Sequence, residues 1–132
     1  MQSVEKELFL KAVKAREHAY SPYSGFRVGA ALLCEDGSIY TGCNIENAAY
    51  SPTNCAERTA FYKAVSEGKR KFKMIAIAGG RETLVMCTPC GVCRQVMAEF
   101  CDAETFQIVC GEDEEHLKIK CLKEFLPYAF QL

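Results

Sequence analysis

The sequence lacks any apolar run near the roughly 20 residues that a membrane-spanning helix needs, so it predicts no transmembrane segment. It also lacks an excess of charge, because 16 Lys and Arg residues stand against 17 Asp and Glu residues for a net charge of −1. That balance argues against a protein that binds nucleic acid through the phosphate backbone. No internal repeat, low-complexity tract or linker divides the 132 residues, which predict a single domain over residues 1–132.

Nine cysteines are the main anomaly of the composition. A secreted disulfide scaffold is expected to have an even number of cysteines and a signal peptide. Here the number is odd, and charged residues interrupt the apolar ones over residues 1–14, which predict an amphipathic helix instead. Cys34, Cys110 and Cys121 lie in or beside apolar runs and are expected to pack as small hydrophobic residues. These features favour a reducing cytoplasmic location, free thiols and a metal site.

Periodicity and turn signals predict a mixed sheet covered by helices. Helices are expected at residues 3–19, from 51–53 to 66, at 90–101 and at 121–126. Strands are expected at residues 26–34, 39–44, 72–78 and 105–110, with a short fifth strand at 117–120. Asp36-Gly37 is typical of a two-residue hairpin turn with positive φ angles. A hairpin followed by alternating helices and strands predicts an α/β protein of three layers, α-β-α, with one mixed sheet of about five strands.

Two cysteine clusters begin the second and third predicted helices: Cys-Ala-Glu-Arg at 55–58 and Pro-Cys-Gly-Val-Cys at 89–93. Helix N-termini that follow parallel strands lie along one sheet edge, so the thiols of Cys55, Cys90 and Cys93 are expected to converge. The partial positive charge at a helix N-terminus stabilises a thiolate, and i, i+3 spacing puts two cysteines on one face. Three protein ligands leave one position of tetrahedral Zn²⁺ open to water, which is typical of a catalytic site.

Glu57 and Arg58 follow the first of these cysteines. Glu57 lies two residues after Cys55, where its carboxylate can approach a metal-bound water without binding the metal, so we expect it to transfer protons. Zn²⁺ with three thiolates carries a net charge of −1, which makes a bound water less acidic than at a neutral site. We therefore expect the Arg58 guanidinium to donate to the thiolates and offset that charge.

These motifs resemble those of the zinc-dependent cytidine and deoxycytidylate deaminases, and within them the short, homotetrameric cytidine deaminases. The similarity extends over nearly the whole chain. It is carried by Ser-Pro-Tyr-Ser-x-Phe at 21–26, Val-Gly-Ala-Ala-Leu at 28–32, Gly-Cys-Asn-Ile-Glu-Asn at 42–47, Cys-Ala-Glu-Arg at 55–58, Pro-Cys-Gly-Val-Cys-Arg-Gln at 89–95 and Leu-Pro-Tyr-Ala-Phe at 126–130.

The resemblance implies a role for each matching position. One Zn²⁺ per chain would be held by Cys55, Cys90 and Cys93, and Glu57 would transfer protons. The nucleoside would be contacted by the side chains of Asn44 and Glu46 at the ribose, the Phe26 ring at the pyrimidine, the Ala56 N–H at the base carbonyl and the Thr88 carbonyl at the leaving ammonia. A neighbouring subunit would add Phe130, and in one interpretation Tyr50.

The implied activity is hydrolytic deamination of cytidine and 2′-deoxycytidine in cytoplasmic pyrimidine salvage, by a homotetramer with shared sites and no nucleic-acid or membrane partner. Three alternatives remain open at this point. The chain could be a related deaminase of a nucleotide, a polynucleotide or blasticidin S, or a nucleoside-binding protein without catalysis. Cys87, three residues before Cys90, offers a fourth thiolate and thus a closed structural Cys₄ zinc module.

Overall fold

The computed structural model describes residues 2–132. Its four α-helices are α1 (Val4–Ala15), α2 (Ala56–Ser66), α3 (Gly91–Phe100) and α4 (Leu122–Phe125). Its six strands are β1 (Arg27–Cys34), β2 (Ile39–Cys43), β3 (Phe72–Gly80), β4 (Leu84–Val85), β5 (Gln107–Gly111) and β6 (Leu117–Cys121). No helix among these residues is long and apolar enough to cross a membrane.

The six strands form one mixed sheet in the order β2-β1-β3-β5-β6, with β4 paired to the end of β3. Strand β1 is antiparallel to both β2 and β3, β5 is parallel to β3, and β6 is antiparallel to β5. This arrangement confirms the predicted three-layer α/β class. The additional strand, β4, pairs only two residues with Gly79 and Gly80, which is too short to give a periodic pattern.

Each face of the sheet carries its own hydrophobic core. Helix α1 covers one face, where Leu8, Phe9 and Ala12 pack against small and aliphatic residues of β1, β3 and β5. Helices α2 and α3 cover the other face around Phe61 and Met97. Because β1 and β3 are covered on both sides, their sequences are nearly continuous apolar runs, as expected for buried strands.

The strand directions place the N-termini of α2 and α3 at one edge of the sheet. Both β2 and β3 are antiparallel to β1, so they run in the same direction. Strand β2 is followed by α2, and β3 is followed by the short β4 and then α3. Helix α2 lies close against β2 at Gly42, where a Cβ atom would be 2.5 Å from the Ala56 carbonyl oxygen and 2.6 Å from the Ala60 nitrogen.

Two local predictions are wrong. Helix α2 begins at Ala56 rather than at 51–53, because Asn54 forms an antiparallel bridge with Ile45 that holds the preceding backbone extended. The hairpin loop is also not a two-residue turn with two positive φ angles. Only Gly37 has a positive φ, of 91°, and the loop closes through the Cys34 N–H, which donates to the Ser38 carbonyl.

Candidate active site

Three thiols meet where α2 and α3 begin. Cys55 and Cys90 are the N-cap residues of these two helices, and Cys93 lies in the first turn of α3. The Sγ atoms of Cys55 and Cys90 are 3.7 Å apart, those of Cys90 and Cys93 are 3.4 Å apart, and all three lie within 4.8 Å of one another. The predicted convergence of these cysteines is therefore present in the fold.

The chemistry of this group fits a thiophilic divalent cation. Hydrogen bonding with Cys93 and, to a smaller extent, with Arg58 lowers the pKa of Cys55 to about 5, against the opposing effect of burial. The Arg58 Nη2 atom is 3.2 Å from the Cys55 Sγ, so the guanidinium lies where it offsets thiolate charge. Its buried Nε has no hydrogen-bond partner within residues 2–132. Three clustered cysteine sulfurs beside one guanidinium are a donor set suited to Zn²⁺.

Cys87 lies outside the three-thiol group, although it lines the same cavity. Burial raises the pKa of its thiol to about 12, and the nearby charges of Glu57 and Cys55 act in the same direction. The Cys87 Sγ atom is not among the sulfur atoms that all lie within 4.8 Å of one another. The geometry therefore favours a site of three cysteines over a closed Cys₄ module.

Glu57 is the buried acid of this site. It lies in the first turn of α2 and is only 4% exposed. Burial raises the pKa of Glu57 to about 7, with a smaller contribution from the charge of Cys55. A carboxyl group with a pKa near neutrality can both accept and donate a proton, which is the property required of a general acid–base catalyst.

A cavity of about 170 Å³ connects these groups. The sequence-predicted site residues that line it are Asn44, Glu46, Cys55, Ala56, Glu57, Thr88 and Cys90. Val28, Thr53 and Asn54 also line the cavity and were not predicted from the sequence. Thr53 and Asn54 could have been proposed, because they come just before Cys55 in the chain.

A larger groove of about 340 Å³ lies between α1 and β2. It is lined by Lys11, Lys14, Ala15, His18, Ile39 and Thr41, none of which is an acid or a thiol.

Asn44 and Glu46 line the cavity and also form hydrogen bonds that hold the neighbouring backbone in place. The Asn44 Oδ1 accepts a hydrogen bond of 2.8 Å from the Val28 N–H, and its Nδ2 donates one of 2.8 Å to the Phe26 carbonyl. The Glu46 carboxylate accepts hydrogen bonds from the backbone and side chain of the loop that precedes Phe26. The predicted ribose contacts therefore also hold the segment that carries the predicted base contact.

The aromatic residues lie in two different settings. Phe26 is half-buried, and its ring and the Cys87 thiol occupy the space above Gly79: a Cβ atom there would be 3.1 Å from Phe26 Cε1 and 2.8 Å from Cys87 Sγ. Tyr50 and Phe130 are 81% and 68% exposed, and neither lines the cavity. Within one chain, the structure therefore brings Phe26 beside the site and leaves the other two rings outside it.

Comparison with known proteins adds a family to this geometry. The sequence profile of the cytidine and deoxycytidylate deaminase zinc-binding region matches residues 2–110. The chain is 56% identical over 134 residues to a cytidine deaminase from Sporosarcina psychrophila, with 96% of each chain covered. It is 50% identical over 128 residues to a cytidine deaminase from Halalkalibacterium halodurans, which covers 96% of this chain and 95% of the relative.

Solved structures show the same similarity. The crystal structure of a cytidine deaminase from Burkholderia pseudomallei superimposes with a TM-score of 0.87 at 41% identity, covering 98% of this chain and 100% of that one. A cytidine deaminase from Mycobacterium tuberculosis gives a TM-score of 0.83 at 36% identity, over 99% of this chain and 100% of that one. These matches confirm the resemblance predicted from the motifs. Site geometry, sequence and fold agree that the chain belongs to the family of zinc-binding cytidine and deoxycytidylate deaminases.

Proposed function

We propose that the chain catalyses the hydrolytic deamination of cytidine and 2′-deoxycytidine to uridine and 2′-deoxyuridine, with release of ammonia. The observation that carries this proposal is the convergence of three thiols beside a buried acid in one cavity, where Cys55 and Cys90 line the same walls as Glu57. The relatives named cytidine deaminase support the same activity. Pyrimidine salvage in the cytoplasm is the setting that we infer for it.

Cys55, Cys90 and Cys93 are the residues that would hold one zinc ion per chain. When bound, Zn²⁺ supplies Lewis acidity, which makes water an effective nucleophile at neutral pH. Arg58 keeps a positive charge beside the thiol of Cys55 and so limits the negative charge of the site. The N-termini of α2 and α3 add backbone N–H groups; that of Cys93, for example, is 3.4 Å from the Cys90 Sγ.

Glu57 performs the proton transfers in this proposal. As a carboxylate, it accepts a proton from the attacking water and delivers it to ring N3 as C4 of the pyrimidine is attacked. Glu57 then takes the proton of the hydroxyl group formed at C4 and delivers it to the exocyclic amino group, which leaves as ammonia as the C4 carbonyl forms. A pKa of about 7 suits both directions of transfer, because the two protonation states are then nearly equal in free energy at neutral pH.

The remaining contacts orient the nucleoside. Asn44 and Glu46 line the cavity and are assigned to the ribose hydroxyls, since a carboxylate is a double acceptor suited to a diol. The Ala56 N–H is assigned to the base carbonyl and the Thr88 carbonyl to the leaving ammonia. Phe26, whose ring and the cavity-lining Cys87 thiol both lie close to Gly79, is assigned to stack on the base.

We further propose that the chain forms a homotetramer in which a neighbouring subunit completes each site. Phe130 is the residue assigned to close over the base from the neighbour, and Tyr50 is a second candidate. Both rings are exposed in the isolated chain, and exposed aromatic surface of this kind is typical of an interface. Residues 1–132 would act as one catalytic domain in each subunit.

A substrate comparison tests the proposed function. Ammonia release is measured from cytidine, 2′-deoxycytidine, cytidine monophosphate and free cytosine, with zinc counted per chain in the same preparation. We expect turnover of the two nucleosides, far less with the nucleotide and the free base, and one zinc per chain. Preference for the monophosphate would assign the chain to nucleotide deamination, and zinc without turnover of any pyrimidine would refute the enzymatic role.

A further inference from the structure

We propose that Ser24 is a positioning residue that couples recognition of the sugar to placement of the Phe26 ring. This inference rests on the proposed function, because it takes Glu46 as a sugar contact and Phe26 as a base contact. Ser24 itself does not line the cavity. It acts through the two residues that its hydroxyl group joins.

The Ser24 hydroxyl has one donor and one acceptor role. Its Oγ lies 2.5 Å from the Glu46 Oε2, and it accepts a hydrogen bond of 2.9 Å from the Phe26 N–H. Hydrogen bonds from Ser24, with those of the neighbouring backbone, lower the pKa of Glu46, so this carboxyl group is ionised at neutral pH and can only accept. The hydroxyl proton therefore points to Glu46, and a lone pair serves Phe26.

The backbone of Phe26 is held at both ends by the two assigned sugar contacts. Its N–H reaches Glu46 through the Ser24 hydroxyl, and its carbonyl accepts directly from the Asn44 Nδ2 at 2.8 Å. Sugar hydroxyls that bind Asn44 and Glu46 would share the polar atoms that orient the aromatic ring. Binding of the sugar to these atoms thereby affects the position of the Phe26 ring at the base subsite.

Other contacts fix the position of the loop that precedes Phe26, but they do not connect Glu46 to the Phe26 N–H. The Tyr23 and Ser24 N–H groups donate to the Glu46 Oε1 at 3.0 and 3.2 Å. Arg81 donates from Nε to the Ser24 carbonyl at 3.2 Å, and its guanidinium carbon lies 5.8 Å from the centre of the Phe26 ring. These backbone contacts remain available when the hydroxyl is removed, so Ser24→Ala is expected to fold.

The test compares two substrates that differ at the sugar. Values of kcat and KM are measured for cytidine and for 2′,3′-dideoxycytidine, which lacks the diol. For Ser24→Ala we expect kcat/KM for cytidine to fall by about 10- to 100-fold, as for loss of a hydrogen bond to a charged group, mainly through KM. The loss with the dideoxynucleoside should be several-fold smaller. Ser24→Thr, which keeps the hydroxyl, should restore most of the difference.

Two further variants separate positioning from a merely structural effect. In a Glu46→Gln background, Ser24→Ala should have little additional effect on cytidine, because the link is already broken. Ser38→Ala is the matched control: the Ser38 hydroxyl also lies in an exposed loop and donates to a carboxylate, that of Asp36, at 2.6 Å. We expect this control to leave kcat/KM for both substrates unchanged.

Equal losses with both substrates, or an undiminished loss in the Glu46→Gln background, would overturn the inference and leave Ser24 as a loop-stabilising residue. Unchanged kinetics of Ser24→Ala would overturn it as well. These outcomes are distinct from failure of the proposed function, in which the unsubstituted protein itself would release no ammonia from cytidine.

Discussion

Glu57 is only 4% exposed and lines the same cavity as Cys55 and Cys90. Replacing it with Gln keeps the shape of the side chain but removes its ability to carry a proton. A positioned acid or base contributes about 10²–10⁴-fold to a rate, and Glu57 is assigned to more than one transfer, so we expect Glu57→Gln to lower kcat by about 10⁴-fold or more. Zinc content should be retained and the midpoint of thermal unfolding should not fall, and near-normal turnover would contradict the mechanism.

Cys87 and Cys90 provide a matched pair for the metal site. Cys87→Ser is expected to keep one zinc per chain and most of the activity, because this thiol lies outside the three-thiol group. Cys90→Ser should lose zinc and lower the midpoint of thermal unfolding, since metal binding is coupled to folding. Metal analysis after dialysis measures the zinc content of both variants. Equal zinc loss in the two would favour a four-cysteine site.

The ionised carboxylate of Glu46 contributes to stability in a pH-dependent way. Hydrogen bonds from Ser24 hold its pKa below the usual 4.5. Because the folded pKa lies below the unfolded one, this stabilisation is complete well above pH 4.5 and is lost as the pH falls toward the folded pKa. We expect the difference in free energy of unfolding between the unsubstituted protein and Glu46→Gln to shrink on acidification. Urea denaturation between about pH 6 and pH 4 measures it; a growing difference would contradict the assignment.

Two glycines control how closely helices lie on the sheet, with different consequences for the site. A Cβ atom at Gly42 would collide with the backbone of α2, and one at Gly29 would lie 2.0 Å from the Ala12 carbonyl of α1. We expect Gly42→Ala and Gly29→Ala each to lower the free energy of unfolding by about 1–3 kcal/mol, as overpacking does. Only Gly42→Ala should also reduce zinc retention, because α2 carries Cys55 and Glu57. Equal zinc retention in the two variants would contradict this account.

The elements that could be predicted are those with strong local signals. The continuous apolar sequences of β1 and β3 and the paired cysteine motifs at helix starts were sufficient for the fold class and the three thiols. The beginning of α2 was not predictable in this way, because it depends on the bridge between Ile45 and Asn54, whose partners belong to different segments. The hydrogen bonds between Ser24 and Glu46 have the same character: 22 residues separate the partners, and no periodic pattern encodes them.

The C-terminal segment connects the site to the proposed assembly. The Gln95 Nε2 of α3 donates to the Phe130 carbonyl at 3.0 Å, while the Phe130 ring remains largely exposed. We expect a solution mass near four times 14.7 kDa by light scattering. Ending the chain at Pro127 should reduce both the mass and the turnover, because the ring assigned to the neighbouring site is lost.

A shorter deletion is the control for that experiment. Removing only Gln131 and Leu132 leaves Phe130 in place and should preserve assembly and turnover, since the side chain of Leu132 is fully exposed. A fully active monomer, or a truncation at Pro127 with unchanged turnover, would refute shared sites.

Because Glu57 is buried, selection for activity and selection for stability favour different residues at position 57. Raising the pKa of this carboxyl from 4.5 to about 7 corresponds to about 3 kcal/mol in the metal-free chain at pH above 7. This cost is absent below about pH 4.5 and is complete above about pH 7. It is a large share of the roughly 5–15 kcal/mol that stabilises a typical domain. A population of variants screened only for heat resistance in the absence of zinc should therefore lose Glu57 early, whereas one screened for growth on cytidine should retain it at every round.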